Sequence, residues 1–387
     1  MPPLAAAAQI AFASHLRIQA GMQQRRVLHL VQGLGLGGTE KAACLLARGL
    51  CSGGRFETAV WSPQDGPRAS ALRESGVPLF LGGDAGSALR RFAPQIAHVH
   101  RAGWPQPEFM RSLRAGLRFL PDGTRLPRIV ETNVFGRHDP SSSGKLIDCT
   151  LFVSHFCARR FAAVENRQVA MPRYGVLYNP VDTDFLGEHC LVPERRDYGR
   201  PVLGRISRPD KGKWSRLALD MLPHLARMRP DFRFHVVGGI PEAEDFVREH
   251  GLEAQVRFFG AVRREGELAA FLDDLSVLAH ANDTGESFGL AIAEAMAAGL
   301  PVVTHPCEGL KDNAQLELVE CGVTGLAADN AEDYASAVAW LFAHPEEARR
   351  MGRAGREKAG RLYAVDVVVR QLEAVYAELL AGARRDD

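Results

Sequence analysis

Two glutamates stand eight positions apart in the otherwise small and apolar stretch TGESFGLAIAEAMAAGLPVV, residues 284–303. Glu286 precedes a predicted helix over 288–298, and Glu294 lies on the second turn of that helix. The first N–H groups of a helix have no partner within the helix, so they form an anion site between the two carboxylates. This pattern suits a ligand with a diphosphate in the middle and hydroxyl groups at its two ends.

A second stretch supplies positive charge at the end of a predicted strand. GRISRPDKGKW (204–214) carries Arg205 and Lys211 six positions apart, with Lys213 nearby. Fixed cations of this kind neutralise the charge that develops on a departing phosphate. We therefore expect chemistry at a diphosphate without a divalent metal, with Glu286, Arg205 and Lys211 as the catalytic residues.

The elements that must position these residues alternate along the chain. Short β-like runs, such as VLHLV (27–31) and PVLGRIS (201–207), alternate with amphipathic helical stretches in both halves. This alternation predicts an α/β fold with two Rossmann-like, doubly wound domains facing each other across a cleft. The expected parts are a disordered or helical extension (1–22), a first domain (23–185), a linker (186–200), a second domain (201–365) and a C-terminal helix that packs back on the first domain (366–387).

Composition and charge narrow the class of protein. The 387 residues carry a formal net charge of +1 and are 46% hydrophobic, a globular balance that gives no reason to expect nucleic acid as a partner. No apolar run reaches the roughly 18 residues that a membrane-spanning helix requires. The seven cysteines are scattered without a Cys-x-x-Cys pair, which argues against a zinc site and a disulfide framework. We expect a cytoplasmic protein.

The two motifs together resemble those of the retaining GT-B-fold glycosyltransferases, glycosyltransferase family 4. Glu286 and Glu294 match the family pattern of two glutamates separated by seven residues, and GRISRPDKG (204–212) matches its Gly-Arg and Lys-Gly pattern. NPVD (179–182) stands where the family has Asn-Gly-Val-Asp at the domain junction. The likeness covers residues 27 to 380 and is strongest over 201–343.

The resemblance implies transfer of a sugar from a nucleotide diphosphate sugar to an acceptor hydroxyl, with retention of anomeric configuration and no cofactor. Glu286 would contact the donor sugar, Glu294 the nucleotide ribose, and Arg205 with Lys211 the diphosphate. A Gly-Gly loop after the first strand would close over the reaction centre. The donor-binding residues implied in this way are Gly37, Gly38, Ser287, Phe288, Gly289, Leu290 and Glu294.

The acceptor side departs from the family. Many members carry a histidine after the strand that corresponds to RIVET (128–132), whereas this chain has Asn133 there and His138 five residues later. Asparagine is not a base at neutral pH, and retaining enzymes of this kind are thought to use the departing phosphate instead. His100, at the end of IAHVH, is a third candidate acceptor-side residue.

The acceptor itself is expected to be a glycan or a lipid-linked glycan, as in polysaccharide or lipopolysaccharide synthesis. Arg111, Arg114 and Arg118 recur at helical spacing and form a basic stripe. Such a stripe is a solvated face, or a contact with anionic lipid at the inner membrane or with an acidic glycan. Peripheral association with the cytoplasmic membrane face is therefore one expectation, beside a simple solvated helix.

Other functions stay open at this point. Gly33, Gly35 and Gly38 match a dinucleotide fingerprint, but the following strand ends in AVWSPQ without the acidic residue that the fingerprint requires. A sugar-nucleotide epimerase or phosphorylase would use the same fold. A catalytically silent protein that binds nucleotide sugars or glycans is a further alternative, which donor turnover would exclude.

Overall fold

The computed structural model of the protein describes residues 24–120 and 125–382. The predicted N-terminal extension, 1–22, lies outside the described residues. The described chain forms two domains, each built on one parallel sheet with helices on both faces. The predicted α/β class with two doubly wound domains is therefore confirmed. No helix among the described residues is long and apolar enough to cross a membrane.

The first domain contains a seven-stranded sheet in the order β3-β2-β1-β4-β5-β6-β7. Its strands are β1 (Arg25–Leu30), β2 (Phe56–Ser62), β3 (Leu79–Leu81), β4 (Ile96–Arg101), β5 (Arg128–Asn133), β6 (Cys149–Phe152) and β7 (Tyr174–Val176). Its helices are α1 (Gly38–Gly53), α2 (Ala69–Glu74), α3 (Ala85–Phe92), α4 (Pro107–Arg118) and α5 (His155–Glu165). All residues of β4 and β5 are buried, as expected for central strands covered on both faces.

The second domain contains a six-stranded sheet in the order β10-β9-β8-β11-β12-β13. Its strands are β8 (Val202–Ile206), β9 (Arg233–Val237), β10 (Val256–Phe259), β11 (Val277–Ala279), β12 (Val302–Thr304) and β13 (Gly325–Ala327). The helices after β7 are α6 (Thr183–His189), α7 (Leu217–Met228), α8 (Pro241–Glu249), α9 (Glu265–Asp273), α10 (Leu290–Ala297), α11 (Gln315–Leu318), α12 (Ala331–Ala343), α13 (Pro345–Leu362) and α14 (Val365–Ala381).

The last helix, α14, returns to the first domain. Val368, Leu372 and Tyr376 lie in one apolar cluster with residues of β1, β5 and α1. The chain crosses between the domains at Val181 and again at Ala364, and these two residues form a β-bridge. Both crossings therefore run side by side.

The segment 186–200 is more ordered than the predicted linker. Tyr198 is fully buried and donates a hydrogen bond of 2.6 Å to the carbonyl of Gly299. The Arg196 guanidinium is buried too and binds the carbonyls of Asp273 and Ala298. Long side chains of this segment bind backbone groups of the second domain, and the segment packs there.

Candidate active site

The cleft between the domains lies at the carboxyl ends of both sheets. In each sheet the strand order reverses between neighbouring strands, β1 and β4 in the first and β8 and β11 in the second. Ligands of doubly wound folds bind in the crevice at such points. Here the two crevices open onto one cavity of about 780 Å³. Loops that follow β1, β5, β8 and β11 line it.

Glu286 lies on the floor of this cavity within a set of hydrogen-bond donors. Its Oε1 is 2.6 Å from the side-chain Nδ2 of Asn282, 3.0 Å from Lys213 Nζ and 3.4 Å from His280 Nε2. Burial alone would raise the pKa of Glu286, but the contacts with His280 and Lys213 outweigh it and lower the pKa to about 2. Glu286 is therefore an ionised acceptor across the physiological pH range.

The structure places the predicted cations differently from the sequence analysis. Lys211 is 77% exposed and pairs with Glu242 on the outer surface, outside the residues that line the cavity. Lys213, two positions later, lines the cavity and contacts Glu286. The turn Lys211–Lys213 is a short 3-10 helix, which sends these alternate side chains in different directions. In this conformation Lys213, rather than Lys211, is the lysine on the cavity floor.

Arg205 lies beneath the cavity rather than on its wall. Its side chain is fully buried, stacks over the Trp214 ring at 4.4 Å, and donates to the carbonyls of Ala281 and Lys213. Burial lowers the pKa of Arg205 to about 10. Arg205 thus joins the two loops that carry Lys213 and Glu286, and in this conformation it supports the site from behind.

The helix start between the two glutamates faces the Gly-Gly loop of the other domain. Helix α10 begins at Leu290, two residues later than predicted, because Gly289 has a φ of 102°, which is outside the helical range. A Cβ added to Gly38 would lie 3.2 Å from Leu290 Cδ1, so the loop and the helix approach closely. The seven predicted donor-binding residues all line the cavity, namely Gly37, Gly38, Ser287, Phe288, Gly289, Leu290 and Glu294.

A lysine of the first domain binds the second glutamate of the motif. Lys41 Nζ lies 2.7 Å from Glu294 Oε1 and 2.6 Å from Glu265 Oε2. Burial opposes the charge of Lys41, but the two carboxylates outweigh it and raise the pKa of Lys41. Arg68 adds a longer contact of 3.7 Å to Glu265. These ion pairs join the two domains at the end of the cavity where Glu294 lies.

The three candidate acceptor-side residues do not line the cavity. His100 is buried with its Nε2 2.9 Å from His29 Nδ1, in a core cluster that includes His98 and Tyr376. Its position at the strand end suggested exposure, but α14 covers that face of the sheet. Asn133 is also buried and bonds both backbone groups of Arg137, so it closes a turn.

His138 is half-buried and packs against the Phe161 ring at 6.2 Å. Many family members have a histidine directly after the strand that corresponds to β5. Among the described residues, no histidine lines the cavity next to β5. Val134 and Phe135 fill that stretch of the wall. Loop packing therefore accounts for His138 in this structure.

Two sets of side chains in the described chain have the chemistry of metal ligands. The chain contains one Asp-x-Asp sequence, Asp182-Thr183-Asp184. Asp182 caps helix α6 by accepting a hydrogen bond from the amide of Phe185, and Asp184 lies in the first turn. This pattern is satisfied as a helix start and lies outside the cavity lining. The ring nitrogens of His29, His98 and His100 lie within 4.8 Å of one another, but all three side chains are in the core.

Two residues that contact Glu286 were not predicted from the sequence, His280, which lines the cavity, and Asn282, which does not. Asn282 and His280 follow β11 at the carboxyl edge of the sheet, and both contact Glu286. Burial lowers the pKa of His280, which keeps the imidazole neutral near pH 7. Their position directly after a predicted strand was the available signal, because the carboxyl ends of parallel strands lie along one edge.

With this geometry, solved structures identify the fold. A glycosyltransferase from Rickettsia africae aligns over 94% of this chain and 100% of its own, with a TM-score of 0.74 and 16% identity. HepE from Anabaena, in complex with UDP and glucose, aligns over 92% of this chain and 100% of its own, with a TM-score of 0.70 and 17% identity. The two Rossmann-like domains and the cleft are the GT-B architecture, as predicted.

Sequence relatives narrow the class. Residues 193–358 match the family "Glycosyl transferases group 1", which covers most of the second domain. A phosphatidyl-myo-inositol mannosyltransferase of Mycobacterium leprae is 34% identical over 51% of this chain and 52% of its own length. A GDP-mannose-dependent alpha-(1-6)-phosphatidylinositol monomannoside mannosyltransferase of Mycolicibacterium smegmatis is 32% identical over 62% of this chain and 64% of its own length. The chain thus spans about half to two thirds of these curated relatives.

Proposed function

We propose that the protein is a glycosyltransferase that moves a sugar from a nucleotide diphosphate sugar to an acceptor hydroxyl, with retention of anomeric configuration. The observation that carries this proposal is the Glu286 cluster at the start of α10, opposite the Gly37–Gly38 loop. An ionised carboxylate, a lysine and free helix amides are what a sugar hydroxyl and a diphosphate require. The match of residues 193–358 supports the same conclusion.

The residues act by binding and by charge. Glu286 accepts hydrogen bonds from the donor sugar through Oε2, since the three donors described above all contact Oε1. Lys213 and the amides near Gly289 and Leu290 stabilise the negative charge on the leaving phosphate. Glu294 binds the nucleotide ribose after Lys41 leaves it. A departing phosphate oxygen takes the proton of the acceptor hydroxyl, since no base from the acceptor-side candidates lines the cavity.

We further propose a glycan or lipid-linked acceptor and metal-independent turnover. The mannosyltransferase relatives carry names that specify phosphatidylinositol acceptors, which supports a lipid-linked acceptor here. Arg111 and Arg118 are exposed on α4 and available to anionic headgroups, whereas Arg114 donates to the carbonyl of Ser142. Flotation with anionic vesicles should weaken in an Arg111→Glu, Arg118→Glu variant, and an unchanged fraction would refute the membrane contact.

A donor panel tests the proposed function. UDP-, GDP- and ADP-sugars are incubated with the protein, with and without a crude acceptor extract and with EDTA, and free nucleoside diphosphate is measured. Release from one donor that persists in EDTA and is lost in Glu286→Ala supports the proposal. Conversion of the donor sugar without release would instead indicate an epimerase. Binding of no nucleotide sugar would refute the assignment of the site.

A further inference from the structure

An exposed tryptophan stands beside the cleft on the first domain. Trp104 is 47% exposed, and its ring lies on the ring of Phe135 with centroids 5.2 Å apart and planes only 4° from parallel. The Trp104 ring is thus held in one orientation at the surface, and flat aromatic rings of this size contribute strongly to binding where a ligand stacks on them.

The position of the pair connects it to the cavity. Trp104 follows β4 and Phe135 follows β5, so both lie at the carboxyl edge of the first sheet. The strand pairing continues beyond the sheet, since the amides of Val134 and Phe135 donate to the carbonyls of Arg101 and Ala102 at 3.0 and 3.1 Å. Phe135 lines the cavity, and Trp104, which is not itself a lining residue, stacks on the Phe135 ring.

A buried ion network fixes the loop that carries the tryptophan. Arg101 is 1% exposed and binds Glu131 at 2.6 Å and Asp139 at 2.7 Å. The same guanidinium reaches the carbonyl of Trp104 at 3.4 Å. Pro105 follows immediately and restricts the backbone there. The aromatic pair is therefore held in place before any ligand arrives, which lowers the cost of ordering it on binding.

We propose that Trp104 and Phe135 form a stacking platform for a pyranose ring of the acceptor. A pyranose has one face of C–H groups that matches a flat aromatic ring, while its rim hydroxyls remain free for water or for the cleft. An acyl chain needs a groove along its length, whereas the parallel rings offer a single flat face. This inference rests on the proposed glycosyl transfer, and it names the class of acceptor: a chain that already carries a sugar.

Saturation-transfer NMR tests the platform without knowledge of the acceptor. The probes are methyl α-D-mannopyranoside, methyl α-D-glucopyranoside and methyl β-D-galactopyranoside at millimolar concentration. We expect transfer to the ring protons of at least one probe, weakened about tenfold in Trp104→Ala and largely restored in Trp104→Phe, since stacking is lost and regained. Trp340→Ala is the matched control, because Trp340 is 38% exposed and stacks on His344 in the second domain.

The outcomes separate this inference from the proposed function. Release of nucleoside diphosphate without acceptor should stay unchanged in Trp104→Ala, since the donor residues are untouched. If no donor is turned over but the glycosides bind through Trp104, the transferase proposal fails and the platform remains. Absence of transfer to every probe, or equal transfer in Trp104→Ala, overturns the platform. Loss of binding to anionic vesicles in Trp104→Ala, with glycoside binding unaffected, would assign the tryptophan to a membrane instead.

Discussion

Lys213 and Lys211 differ by two positions and lead to opposite expectations for turnover. The Lys213 ammonium lies 3.0 Å from Glu286, with the two side chains 28% and 15% exposed. The Lys211 ammonium is 77% exposed and pairs with a half-exposed Glu242. Replacing each lysine by methionine removes the ammonium group and its charge and keeps most of the unbranched side chain. The pair of variants therefore compares one charge inside the cavity with one charge outside it.

The expected effects follow from these two environments. Removing a preorganised charge next to the leaving group typically lowers kcat by roughly 10²- to 10³-fold, and we expect this for Lys213→Met. The Lys211–Glu242 pair is screened by solvent and lies outside the cavity lining, so Lys211→Met should change kcat less than about fivefold. The sequence pattern alone predicted the large effect at Lys211.

A pH profile adds a second readout to this comparison. Lys213 helps to hold the pKa of Glu286 at about 2, against an ordinary value of 4.5. In Lys213→Met burial is opposed by fewer contacts, so the pKa of Glu286 rises and the acid limb of kcat/KM moves to higher pH. Lys211→Met should leave that limb in place. The assay is release of nucleoside diphosphate from the donor that the panel identifies, between pH 4 and pH 8.

One pattern of results would refute the reasoning. If Lys211→Met loses 10²-fold or more while Lys213→Met keeps near-native kcat and an unshifted acid limb, Lys211 must turn into the cavity during turnover. The family pattern would then describe the working enzyme better than the present conformation does. Circular dichroism of both variants guards against a loss of folding.

Three further predictions concern stability and shape. Burial lowers the pKa of His29 from 6.5 to about 3, so the stabilisation that depends on the neutral imidazole falls as the pH drops below 6.5. The free energy of unfolding should decrease by about 2 kcal/mol between pH 8 and pH 5, as measured by urea denaturation. An unfolding midpoint that does not change with pH would contradict a neutral buried imidazole. Lys41→Met removes the ion pairs that join the two domains at Glu294 and Glu265, so small-angle scattering should report a larger radius of gyration. Arg370→Met, which removes an exposed ion pair within α14, is the control. Identical scattering curves for Lys41→Met and the unmodified protein would contradict the prediction. Leu372→Ala removes a fully buried side chain of α14 and should lower the free energy of unfolding by about 2–5 kcal/mol. A decrease below about 1 kcal/mol would mean that α14 contributes little to the core of the first domain.

Much of the fold was predictable because its central strands are buried on both faces. The runs at 27–31, 128–132 and 201–207 became β1, β5 and β8 with shifts of one or two residues at their ends. Strands β3 and β13 were not predicted from the sequence. The packing of the segment 186–200 was not predicted, because Arg196 and Tyr198 bind backbone partners that composition does not reveal.

The sequence predicted which loops form the site, but it did not predict which side chains of those loops enter the cavity. Glu286, Glu294 and the amides around Gly289 follow from one contiguous motif, and their placement depends only on local geometry. The choice between Lys211 and Lys213 depends on the direction of a short 3-10 turn, which spacing in the sequence does not encode. His100 was placed at the cleft because the covering helix comes from a segment 265 or more residues later in the chain.

The return of α14 to the first domain has a consequence for synthesis of the chain. The second domain is contiguous from about residue 183 to 362, so it has all its parts once that stretch has left the ribosome. The first domain emerges earlier but lacks Val368, Leu372 and Tyr376 until the last turns of the chain appear. The contact between the buried His98 and Tyr376 also forms only at that stage. The half that is made first is thus expected to be the last to complete its fold during translation.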